Sequence, residues 1–113
     1  MPIDESSTPD PEQSIAMIGS VDAFDRIVRG ADRVLIDIYA DWCGPCKMMA
    51  PMVEELARET DATVAKVDVD STPILAERFG VRSVPTFIAF ADGEPVERLV
   101  GMQDKGALAA ALD

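Results

Sequence analysis

Residues Val34 to Ala40 form a near-continuous apolar run that leads, after Asp41, into Trp42-Cys43-Gly44-Pro45-Cys46-Lys47. An apolar run without alternation is the pattern of a central strand covered on both faces. Such a strand needs helices packed above and below it, which points to an α/β chain. The Cys-x-x-Cys opens the next helix. Spacing of three places the two side chains roughly 5–6 Å apart on one helix face, inside the roughly 4.4–6.8 Å Cα window of a disulfide. The pair is therefore able to close and open with little backbone movement. At the helix start, the Cys43 sulfur meets unpaired N–H groups and the positive end of the helix dipole, which favour thiolate over thiol. Cys46 lies one turn further in. The expectation is an exposed, activated Cys43 with a shielded Cys46, which together make a thiol–disulfide exchange centre.

Two blander readings of the pair are weaker. Structural zinc takes four N or S ligands, and this chain has two cysteines and no histidine, so no metal is expected. A static structural disulfide would close a loop of only a few residues, where the entropic gain is smallest. The chain has 113 residues, 48% of them hydrophobic, enough for one packed domain without staples. No apolar run approaches the ~18 residues that cross a bilayer. The net charge of −11 argues against nucleic acid or an anionic membrane as partner. Residues 1–13 hold Asp4, Glu5, Asp10, Glu12 and three prolines with no basic residue. They read as a disordered, solvated acidic arm, leaving 14–113 as the domain. The arm lacks the basic and apolar regions of a secretory signal, so the expected location is the cytoplasm, where dithiols are kept reduced and used catalytically.

Local signals order the rest. A short strand is expected around Ser14 to Ile18. Ser20 caps a helix carrying Ala23, Phe24, Ile27 and Val28, which ends at Gly30. The helix from Cys43 to about Thr60 contains Pro51, which should kink it. Thr63 to Val69 is a strand; Thr72-Pro73 starts a helix that Gly80 closes. Thr86 to Ala91 and Val96 to Val100 flank the hairpin signal Asp92-Gly93, and Gln103 to Leu112 is a final helix. The order β-α-β-α-β-α-β-β-α predicts a three-layer α/β/α fold. Its central mixed β-sheet has about five strands, parallel with an antiparallel edge, flanked by about four helices. Asp37 falls in the middle of the covered strand. A carboxylate buried there is costly and has a raised pKa, which makes it a functional candidate; a solvent-facing Asp on a half-exposed strand is the alternative.

The sequence resembles the thioredoxin family over roughly residues 15 to 113. The resemblance rests on Val34-Leu35-Ile36-Asp37 through Trp42-Cys43-Gly44-Pro45-Cys46-Lys47, with Ala50-Pro51, Ala65-Lys66-Val67-Asp68, Val84-Pro85-Thr86-Phe87 and Val100-Gly101. It implies the thioredoxin fold and protein-disulfide reduction, with Cys43 as attacking nucleophile and Cys46 as resolving thiol. It also implies Asp37 as a buried proton acceptor near Cys46, and Pro85 as a cis-proline facing the disulfide. Lys66, on the neighbouring strand, is placed to tune Asp37; an ordinary surface lysine is the alternative. Trp42, Gly44, Pro45, Val84, Pro85, Gly101 and Met102 would form the substrate-binding surface. The implied partners are disulfide-containing protein substrates and a thioredoxin reductase as electron donor. No cofactor is implied, because the cysteines store the electrons, and the molecule would act as a monomer.

The chain departs from the family at two places. Tyr39 stands where the family often has Trp, and Ser83 where it often has Gly before the Val-Pro pair, narrowing the substrate groove. The dipeptide Gly44-Pro45 lacks the histidine that would stabilise the reduced thiolate and push toward an oxidant or isomerase, so a reductant is expected. An interaction subunit with idle cysteines is the competing class, and the intact Cys43, Cys46, Asp37 and Pro85 set speaks against it. The charge is unusual as well. Outside the arm, 17 acidic residues face 10 basic ones. With lysines only at 47, 66 and 105, the composition resembles that of proteins from salt-loving organisms.

Overall fold

A computed structural model describes residues 15–113; the acidic arm lies outside the described residues. Five strands form one mixed sheet: β1 (Ile15–Ile18), β2 (Arg33–Tyr39), β3 (Thr63–Asp68), β4 (Thr86–Ala91) and β5 (Glu94–Val100). Four helices intervene: α1 (Val21–Arg29), α2 (Gly44–Glu59), α3 (Pro73–Arg78) and α4 (Lys105–Ala111). The order across the sheet is β1-β3-β2-β4-β5, parallel for β1, β3 and β2 and antiparallel from β4 outward. β2 is central, as its unbroken apolar run requires, and Val34 to Ile38 are all buried.

Alternation along the strands sorts the core into two layers. Leu35, Val64, Phe87 and Ala89 pack with Met49, Val53 and Leu56 of α2 and Leu108 of α4. Val34, Ile36, Ile38, Ala65, Val67, Ile88 and Phe90 pack on the other face with Phe24 and Val28 of α1 and Leu75 of α3. Asp37 belongs by parity to the α2 face, between Leu35 and Tyr39. The second layer is locked by three rings: Phe24, Phe79 and Phe90 meet pairwise with centroids 5.4 to 5.9 Å apart, tilted or edge-on as aromatic quadrupoles prefer.

The caps and turns follow the sequence, with differences at Thr72 and at the start of β5. Ser20 caps α1, its hydroxyl accepting from the Ala23 N–H at 3.0 Å. Thr72 stands at the start of α3, but its hydroxyl makes no capping bond and is buried without a partner; Pro73 supplies the start signal instead, with φ preset and no N–H to satisfy. α2 continues through Pro51. Pro51 has no N–H to donate within the helix, and it lies on the exposed side of α2. β5 starts two residues earlier than expected, at Glu94. Asp92 and Gly93 both have positive φ, the signature of a two-residue type I′ turn, so Ala91 and Glu94 pair directly. Val96, where the strand was expected to begin, is instead the extra residue at a register shift between Ala89 and Phe90.

Candidate active site

Strand β2 ends at Tyr39, the chain turns through Asp41 and Trp42, and α2 begins at Gly44 with Cys43 as its N-cap residue. The Cys43 backbone is extended, and its sulfur accepts a hydrogen bond from the Cys46 N–H at 3.1 Å. That is the position at which a helix offers unpaired donors to a negative atom. The two cysteines form a disulfide, with Cα atoms 5.3 Å apart and no free cysteine remaining. Gly44 and Pro45 occupy the first two helical positions and are exposed. Cys46, Met49, Val53 and Leu56 make the buried stripe of α2; Met49 belongs to the core layer of Leu35 and Phe87, and Cys46 lies one turn earlier on the same stripe.

Burial of the pair differs from the expectation. Cys43 is 3% exposed and Cys46 9%, so Cys43 is not the open member of the disulfide. The reason is the loop opposite. Val84 packs on the pair together with Val69, Tyr39 and Ala40, and the Val84 carbonyl oxygen lies 3.6 Å from the Cys43 sulfur. Access to Cys43 therefore runs past the Val84 backbone.

Val84–Pro85 is a cis peptide bond, and Pro85 itself is buried. The Pro85 carbonyl accepts from the Gly101 N–H at 2.8 Å, and Gly101 has φ +86, a conformation that favours glycine. Met102 follows, 53% exposed. Trp42 is 69% exposed, yet its indole N–H donates to Asp70 Oδ2 at 2.9 Å, which holds the ring on the rim. Asp70 was not anticipated from the sequence; it lies 28 residues away and carries no local signal. Val69 was likewise missed, although its place at the end of an apolar strand pointed to packing.

Asp37 is 5% exposed and its Oδ1 has no hydrogen-bond partner. Burial pushes its pKa from the ordinary 3.8 up to about 6, with the Lys66 ammonium pulling the other way. Lys66 is the register partner of Asp37 on β3, and its ammonium lies over the Tyr39 ring, 4.6 Å from the centroid. Burial, then the carboxylates of Asp68, Asp41 and Asp37, raise the Tyr39 phenol above its ordinary range. Cys46, Tyr39 and Lys66 line one cleft of about 150 Å³. Among the described residues, no three Cys, Asp or Glu side chains cluster in a way that would hold a metal ion, and no helix is long and apolar enough to cross a membrane.

A cysteine pair at a helix N-terminus, a cis-proline loop packed on it and a buried carboxyl on the central strand, all on a β-α-β-α-β-α-β-β-α chain, define a thiol–disulfide oxidoreductase architecture. The chain belongs to the thioredoxin family, whose model matches residues 16–113. It is 58% identical over 77 residues to a thioredoxin of Mycobacterium tuberculosis strain H37Rv, a match spanning 66% of each chain. It is 50% identical over 96 residues to a thioredoxin of Chlamydia muridarum, covering 83% of this chain and 92% of that one. Among solved structures, a mutant thioredoxin from Halobacterium salinarum NRC-1 superposes with TM-score 0.84 at 48% identity, over 93% of this chain and 92% of that one.

Proposed function

We propose that the chain is a protein-disulfide reductase working through the Cys43–Cys46 dithiol. The observation that carries this reading is the Cys43 sulfur at the N-cap of α2, bonded to the Cys46 N–H and joined to that second cysteine one turn on; the buried, unpartnered Asp37 carboxyl on the central strand supports it. The Cys43 thiolate attacks one sulfur of a substrate disulfide, forms a mixed disulfide and expels the other sulfur as a thiolate. Cys46 passes its proton to Asp37 and attacks the Cys43 sulfur. The Cys43–Cys46 disulfide forms, and the substrate leaves with two electrons more than it brought. A thioredoxin reductase returns those electrons. Trp42, Gly44, Pro45, Val84, Gly101 and Met102 surround the approach to Cys43, with Pro85 shaping the loop from beneath. An extended substrate segment pairs with the Val84 backbone by strand addition. The molecule acts as a monomer in the cytoplasm, on protein disulfides rather than nucleic acid or membranes.

The test is a pair of serine variants in an insulin-reduction assay. Cys43→Ser is expected to abolish turnover. Cys46→Ser keeps the attacking sulfur but loses the resolving one, so it accumulates mixed disulfides that dithiothreitol releases. Normal turnover by both variants would overturn the reading.

A further inference from the structure

The cation nearest Asp37 in the sheet register does not pair with it. Lys66 and Asp37 are register partners in a parallel ladder, and Tyr39 lies two residues beyond Asp37 on the same strand, so all three side chains leave the same face of the sheet. The Lys66 ammonium sits on the Tyr39 ring, 4.6 Å from its centroid. The ion pairs among the described residues join Arg78 to Asp25, and Lys105 to Glu55 and Glu59; Lys66 and Asp37 are not among them. Asp37 Oδ1 correspondingly has no partner. Other charged groups around this cleft are Asp41 after β2, Asp68 on β3 and Lys47 on α2, with the Cys46 sulfur held in the disulfide; Glu54 of α2 shares a neighbouring cleft with Lys66, and β4 places Phe87 opposite Asp37.

We propose that Tyr39 is a positioning residue for the proton transfer at Cys46: its ring holds the Lys66 ammonium on the wall of the cleft, outside ion-pair range of Asp37, and leaves the carboxyl unpaired. The proposal rests on the reductase reading for its purpose, though its geometry stands alone. Pairing with a carboxyl that is 5% exposed would strip water from the ammonium. The ring offers a competing attraction that leaves the cation partly hydrated. Without the ring, that competition is lost while the pull of Asp37 remains, and Lys66 moves inward. A paired Asp37 is a weaker base for the Cys46 proton.

The test follows the Asp37 carboxyl by NMR titration in the disulfide form, which requires no turnover. Tyr39→Leu is expected to lower the Asp37 midpoint by about one unit, the scale of a cation–π contact. Tyr39→Phe keeps the ring and should leave the midpoint within about 0.3 unit. In a Lys66→Met background, Tyr39→Leu should add nothing, because no ammonium remains to release. An unchanged or raised midpoint in Tyr39→Leu overturns the proposal. So does a drop that persists without Lys66, since water entry would then be the cause. The unsubstituted protein supplies a check that does not depend on a variant folding: the Lys66 ε-methylene protons should be shifted upfield by the ring, and random-coil positions would refute the contact. A normal Asp37 response in a chain that fails to reduce insulin would count against the reductase reading alone.

Discussion

At the scale of single residues, the site divides into positions that carry a local signal and positions that do not. Cys43, Cys46 and Asp37 were legible because spacing and strand context are properties of neighbouring residues. The closure of Cys43 beneath Val84 and the Trp42–Asp70 bond were not, because each joins residues distant in the chain. Asp37 yields the sharpest residue-level prediction. Its native pKa of about 6 exceeds the ordinary 3.8, so between those values the folded protein holds a proton that the unfolded chain has lost. Stability therefore falls as pH rises through that window, and above it the buried charge costs about 2–3 kcal/mol. Asp37→Asn should be more stable than the parent by about that amount at pH 7, with the difference closing toward pH 4. The same substitution should slow substrate release from the mixed disulfide, because Cys46 loses its base. Denaturant unfolding at the two pH values and single-turnover rates across pH 6 to 9 check both halves. Unchanged rates would remove Asp37 from the mechanism.

At the scale of elements, the type and order of all nine were readable, because hydrophobic period, caps and the Asp92-Gly93 turn are local features. Boundaries moved where tertiary pairing overrode them. β5 gained Glu94 and Pro95 through the tight turn and the register shift, and the last helix is Lys105–Ala111, its N-cap being Asp104, which accepts from the Ala107 N–H at 2.8 Å. The ring cluster can be tested apart from the cysteine pair. The Phe24, Phe79 and Phe90 cluster joins α1, α3 and β4 on the sheet face away from α2. Phe24→Ala, at a site 4% exposed, should cost about 3–5 kcal/mol through lost contacts and a cavity. The molecules that remain folded should still reduce disulfides, because the ring cluster contains neither cysteine nor Asp37. A stability loss below about 1 kcal/mol would show that the cluster is not the lock it resembles; a lost activity in folded protein would show that the layers are coupled.

At the scale of the whole molecule, charge and redox poise decide behaviour. Seventeen acidic residues against ten basic ones outside the arm repel one another, and the opposite-charge contacts among the described residues are few and solvent-exposed, where ion pairs contribute little. Screening shortens from ~30 Å at 0.01 M salt to ~3 Å at 1 M, so the melting temperature should rise with KCl, and continue to rise into the molar range if the acidic surface is adapted to salt. A flat or falling melting temperature would reject that reading of the composition. The central claim, that the Cys43–Cys46 pair is a reductant, is met most directly by its equilibrium with reduced and oxidised glutathione. The N-cap donor to Cys43 is present in the folded chain, yet no histidine stands between the cysteines to hold the dithiol form. The pair should therefore be more reducing than the glutathione couple, near the thioredoxin-family value of about −270 mV, which is carried over from the family rather than obtained from this geometry. A potential of about −180 mV or higher, in the range of isomerases and oxidants, would contradict the account.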